Sequence, residues 1–275
     1  MPDKTPDITG IDTHAHIFSP DQPMAEGRRY TPDYTARLED WLAHMADHGL
    51  SHGVLIQPSF LGTDNGLIAE AISQHPHHLR GVAVVDPEMS ESALARLDAQ
   101  GFVGARLNLV GRPLEAYDSA QWQRFFRRLA DLGWQVEIQR AFEDFATIVP
   151  PIATSGVAVM IDHFGLPKGG IRPEDAAHRA VLEMLRAHPN AYVKLSAPYR
   201  SAQDDVAAHR SFEALREACG GVARFCWGSD WPHTQHETAV SYDDQMTRFA
   251  ALVPDADDRA RILITTPADL FRFSK

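Results

Sequence analysis

Short apolar runs alternate with longer helical patterns eight times along the 275 residues, and few folds accept that order. The strand-like runs fall at 9–14, 53–57, 81–86, 103–109, 135–139, 157–162, 192–196 and 224–229. Most are rich in Val, Ile and Leu, as strands covered on both faces should be. Helical patterns lie between and after them at 35–48, 66–75, 90–99, 119–132, 142–154, 173–188, 204–219 and 240–252. Gly49, Gly101, Gly133, Gly156 and Gly220 follow several of these, in C-cap positions. Helical segments at 255–265 and 267–273 close the chain. The order predicts an α/β chain folded as one (β/α)8 TIM barrel domain over residues 1–275. A doubly wound open sheet is the competitor. It would usually carry a glycine-rich phosphate turn after its first strand, and no GxGxxG or Walker pattern occurs here.

Charge narrows the partners. Lys and Arg number 26 against 37 Asp and Glu, a net charge of −11. That field disfavours nucleic acid and anionic membranes but leaves small anions open, because local charge can oppose the global sign. The N-terminus, Met1 to Asp7, is polar and lacks the apolar core of a secretory leader. No apolar run approaches membrane-spanning length. Cys219 and Cys226 read as reduced thiols, so a cytoplasmic location is expected. A homo-oligomer is compatible with the sequence.

Proton-handling side chains gather where the strands end. The first run closes on His14-Ala15-His16, and residues two apart on a strand share a face. The sixth closes on Asp162-His163, with Asp162 of opposite parity and read as a supporting residue. The eighth closes on Asp230-Trp231-Pro232-His233. Asp230 could alternatively cap a helix. A barrel brings its first and last strands together, so His14, His16, His163 and Asp230 should meet at one mouth. Arg106 lies within the fourth strand, Arg112 follows it, and Arg200 follows the seventh. Guanidinium forks grip carboxylates bidentately, so three at one mouth suit a planar anion, although each could instead pair with a protein carboxylate. Ser59 and Thr63 follow the second strand as candidate donors, and Gln139 is a weaker one. The irregular stretch from Phe18 to Pro32, which carries Tyr30, reads as a lid over the mouth or as a disordered surface loop.

Asp12-Thr13-His14-Ala15-His16, Asp162-His163-Phe164-Gly165 and Gly228-Ser229-Asp230-Trp231-Pro232-His233 resemble the amidohydrolase superfamily, in its amidohydrolase-2 branch. Arg28-Arg29-Tyr30-Thr31-Pro32, the run from Gln57 to Asp64, Arg106-Leu107-Asn108 with Arg112, and Lys194-Leu195-Ser196 with Tyr199-Arg200 resemble the 2-pyrone-4,6-dicarboxylate hydrolases within it. The resemblance implies hydrolysis of a small anionic lactone. Asp230 would activate water, and His14, His16 and His163 would polarise the carbonyl. Arg106, Arg112 and Arg200 would hold carboxylates, with Tyr30, Ser59 and His233 nearby.

Two-metal relatives carry a bridging Lys or Glu on the fourth strand, where this chain has Arg106. A binuclear site is therefore not expected, and because a cation beside three guanidiniums would be repelled, the expectation is no metal cofactor. A mononuclear Zn²⁺ on His14, His16, His163 and Asp230 is the alternative. Other candidates on the same scaffold are a sugar-acid or muconate-type lactonase, a lactone isomerase and a zinc-dependent decarboxylase. From another class comes a non-catalytic anion-binding barrel.

Overall fold

Residues 7–273 are described in a computed structural model of the chain. The polar segment 1–6, read above as no leader, lies outside the described residues. Eight parallel strands lie in the order of the sequence. They are β1 Ile11–Ala15, β2 His52–Ile56, β3 Leu79–Ala83, β4 Phe102–Asn108, β5 Gln135–Gln139, β6 Ala158–Ile161, β7 Ala191–Leu195 and β8 Phe225–Trp227. The surrounding helices are α1 Leu38–Asp47, α2 Gly66–Gln74, α3 Glu91–Ala99, α4 Ala120–Asp131, α5 Phe145–Ala153, α6 Ala176–Ala187, α7 Asp205–Cys219 and α8 Tyr242–Leu252. The fold is a (β/α)8 barrel.

The caps explain several boundaries. Asp204 accepts from Ala207 N at 2.8 Å and starts α7, and Gly220, at φ 70°, ends it in the left-handed region that glycine tolerates. Ser90 and Asp175 cap α3 and α6 in the same way as Asp204. The third strand begins two residues earlier than expected, at Leu79. The eighth stops at Trp227 because Ser229 and Asp230 turn back onto β1. The two closing segments continue as one bent run, α9 Ala256–Ala260, a π-turn at Arg261–Thr265 and α10 Thr266–Leu270.

The barrel closes through the turn after β8. Ala15 pairs with Trp231, Asp230 N donates to His14 O at 2.8 Å, and Thr13 Oγ1 donates to Trp227 O at 2.7 Å. Asp12 anchors the seam from the helix side. Its carboxylate accepts from Trp41 Nε1 on α1, Tyr242 Oη on α8, and Ser229 N and Oγ. Gly228 is obligatory here, since a Cβ would come 2.5 Å from that of His14.

The interior is layered. Ile11, Val54, Ile56, Val82, Val103, Met160 and Cys226 fill the lower barrel, closed from below by Phe271 and Phe273. Above them lies a layer of buried charge, and above that the mouth. Both cysteines are free, and burial pushes the Cys219 thiol up to about 11. Among the described residues no helix is long and apolar enough to cross a membrane.

Candidate active site

The charged layer comes from four strands. Lys194 Nζ of β7 donates to Glu137 Oε2 of β5 at 2.7 Å and lies 3.2 Å from Asp162 Oδ1. His14 Nδ1 lies 3.0 Å from the same ammonium, 3.2 Å from Glu137 Oε1 and 3.4 Å from Asp162 Oδ1. All four side chains are fully buried. Charges removed from water persist only when compensated, and two carboxylates here face one ammonium and one imidazole. Burial and Lys194 oppose protonation of His14, but Asp162 and Glu137 hold it above its ordinary pKa. Burial likewise opposes the charge on Lys194, and the same two carboxylates raise it.

Hydrogen bonds then fix the imidazoles. His16 Nδ1 donates to Ile56 O at 2.7 Å, so its Nε2 is an acceptor. His14 Nε2, 3.3 Å away, is the donor to it, an assignment made from this network. Burial keeps His16 well below its ordinary pKa and therefore neutral. His163 Nδ1 meets Ser196 Oγ at 2.8 Å, and burial brings the ring down to about 3. With the Ser196 hydroxyl donating, the His163 proton sits on Nε2, which stands 3.9 Å from Asp230 Oδ1.

Asp230 occupies the turn after β8 at φ 61°, a left-handed backbone uncommon for a non-glycine residue and frequent at functional sites. Its Oδ2 accepts from Tyr199 Oη at 2.5 Å and from Arg200 Nε at 2.6 Å. Its Oδ1 is buried and accepts no hydrogen bond. Burial alone would raise its pKa. Arg200, then His163, His14 and His16, override that and hold the carboxyl far below the usual range.

A cavity of about 290 Å³ opens beside Asp230. His16, His163, Asp230, Arg106, Arg200, Tyr30 and Ser59 line it, as do Arg29, Asn108, Gln139 and His236. His14 lies one layer beneath. Arg112 and Thr63 face a second cavity of about 600 Å³, which adjoins the first at Arg29, Ser59, Arg106 and Asn108. His233 is buried behind Tyr199, with Nδ1 3.2 Å from the phenol oxygen. Arg106 donates to Gln57 O at 3.0 Å and to Gln139 Oε1 at 3.1 Å, while its Nε is buried without a partner. Arg200 also bonds Thr234, so its fork is committed to protein partners. The stretch 18–37 folds over the mouth: Phe18 pairs with Ala36, Arg29 bonds Asn108, and Tyr30 and Tyr34 share Glu237.

Sequence reasoning assigned no role to Glu137, Lys194, Tyr199 or Arg29. A signal existed for the first. In Gln135-Val136-Glu137-Ile138-Gln139 the polar residues alternate, which puts one polar face of a doubly covered strand into the barrel.

Two groups among the described residues could hold a metal ion: His14, His163 and Asp230, and His14, Glu137 and Asp162. His16, the fourth ligand in the zinc alternative, joins neither. The second group already surrounds the Lys194 ammonium.

A model of the amidohydrolase family matches residues 11–273. The chain is 28% identical over 276 residues to the 2-pyrone-4,6-dicarboxylate hydrolase of Comamonas testosteroni, covering 95% of this chain and 89% of that one. It is 29% identical over 268 residues to the 4-sulfomuconolactone hydrolase of Rhizobium radiobacter, with coverage of 94% and 89%. A crystal structure of a probable 2-pyrone-4,6-dicarboxylic acid hydrolase from Acinetobacter baumannii, with citric acid bound, is similar at a TM-score of 0.91 and 37% identity. It covers 96% of this chain and 100% of that one.

Proposed function

This chain belongs to the amidohydrolase family, and on that premise we propose that it hydrolyses a carboxylate-bearing lactone resembling 2-pyrone-4,6-dicarboxylate. The observation that carries the reading is Asp230: ionised, gripped on Oδ2 and free on Oδ1 at the floor of an arginine-lined cavity. A water on Oδ1 loses its proton to the carboxylate as it attacks the lactone carbonyl. The His163 Nε2 proton meets the developing oxyanion, a contribution of about 3 kcal/mol for one well-placed donor. The His14–His16 pair adds positive field from the same side. When the ring C–O bond breaks, Asp230 returns the proton to the leaving enolate oxygen, and the enzyme is regenerated. Arg106 turns the substrate carboxylates toward the wall opposite the base. The names of the lactone hydrolases above and the citric acid in the Acinetobacter relative support a small polyanionic substrate.

The reading runs without a metal. His14 spends its Nε2 proton on His16 and so has no lone pair there for a cation. Arg200 and Lys194 already neutralise the carboxylates that would attract one. Zinc on His14, His163 and Asp230 would require His14 to give up its Nε2 proton.

The test is turnover across a lactone panel by metal-analysed protein. Loss of pyrone dicarboxylate absorbance that survives exhaustive chelation is expected. No turnover of any member would reject the hydrolase, and activity lost to chelator and restored by Zn²⁺ would reject the metal-free mechanism.

A further inference from the structure

A separate cavity, of about 260 Å³, lies between α7 and α8 over the ends of β7 and β8, and shares no lining residue with the two at the mouth. Its walls are apolar: Phe164, Leu195, Trp227 and Phe249, all buried, with Ala208 of α7 beside them. An apolar cavity of about 150 Å³ is already enough to take up benzene. One group in the lining breaks the pattern. Gln245 of α8 is 5% exposed, and among the described residues its side-chain amide forms no hydrogen bond. A buried amide normally has a partner, since leaving it bare forfeits its hydration. The exposed charges in the lining are already matched, with Arg248 Nη1 of α8 at 3.1 Å from Asp205 Oδ1 of α7. Ser196 also stands in the wall, and its hydroxyl meets His163 Nδ1 at 2.8 Å.

We propose that this cavity is a second ligand site, for a small neutral aromatic bearing one hydroxyl, coupled to His163 through Ser196. The rings of Phe164, Trp227 and Phe249 take the aromatic body, and the Gln245 amide takes the hydroxyl. An ionic occupant would have to break the Asp205–Arg248 pair, and a purely apolar one would leave the amide bare. The Ser196 hydroxyl holds the His163 proton on Nε2, the tautomer that faces Asp230 and the developing oxyanion. An occupant's hydroxyl beside Ser196 offers it another partner and loosens that tautomer, so occupancy slows the chemical step. The site stands on its own geometry; only the coupling rests on the lactonase reading.

The probes are phenol and toluene, alike in shape but for the hydroxyl. Calorimetric titration should show saturable binding of both, with phenol the tighter. Gln245→Leu should weaken phenol about fivefold, the scale of a lost neutral hydrogen bond, and toluene less than about twofold. Retained toluene binding then shows that the variant still folds. Ala208→Phe, which fills the cavity, should abolish both with the melting curve retained. No saturable binding of phenol, equal weakening of the two ligands by Gln245→Leu, or phenol binding that survives Ala208→Phe would overturn the site. In kinetics, saturating phenol should lower kcat for lactone opening and leave KM unchanged. A rise in KM alone would place phenol in the mouth and overturn the site, and an unchanged kcat would overturn the coupling. The lactonase reading fails separately: a protein that binds phenol in this cavity but opens no lactone would keep the site and reject the hydrolase.

Discussion

On the proposed reading Asp230 is the base, and what touches it suits it to that role. A buried carboxyl without partners would pick up a proton, yet Arg200 at 2.6 Å and Tyr199 at 2.5 Å engage one oxygen and leave the other bare. The ionised base should persist through the pH range where ordinary carboxylates titrate, near about 4. The profile of kcat/KM for lactone opening should therefore show no acidic limb there. Arg200→Met removes the main force holding the pKa down, so it should rise and the limb should move into the measurable range, with activity lost as pH falls through it. A variant profile that falls in parallel with wild type at every pH would mean that Arg200 contributes binding and nothing to the base. The phenol of Tyr199, whose pKa is raised by burial and by Asp230, stays protonated as a donor throughout.

At the scale of elements, four strands are pinned by one ammonium. Lys194 on β7 joins Glu137 on β5 and Asp162 after β6, and all three meet His14 on β1. Lys194→Met would leave two buried carboxylates with only the imidazole to balance them, a loss of about 3–5 kcal/mol in urea unfolding. Adding Glu137→Gln should recover much of it, since the uncompensated charge is then gone. Strictly additive losses would contradict the coupling. These elements also show what was legible beforehand. The strand ends announced His14, His16, His163 and Asp230, because polar residues that terminate apolar runs stand out. Arg106 stood out as a guanidinium within an apolar strand. Lys194 and Glu137 gave weaker notice: whether a charged residue inside a strand faces the pore or a helix depends on register, and β1 shifts its register between Asp12 and Ala15. The partner of Arg200 was one of two alternatives, and only the third dimension chooses Asp230.

The whole molecule is a stack of three functions in one barrel. An apolar plug closes the bottom, a neutralised charge layer sits upon it, and the mouth with the candidate site opens above, beneath the 18–37 stretch. Eight strand–helix alternations were enough to infer that architecture from sequence, because the covalent order of strands is also their order in the barrel. How the mouth divides into two cavities was not visible, since it depends on where Arg29 and Asn108 meet. The central claim is that Asp230 delivers water rather than attacking the lactone itself. Single-turnover ring opening of 2-pyrone-4,6-dicarboxylate in ¹⁸O-water, with enzyme in excess, tests it most directly. The account predicts one solvent oxygen in the newly formed product carboxylate on the first turnover. An unlabelled first product, with the ¹⁸O left in the Asp230 carboxylate, would contradict it.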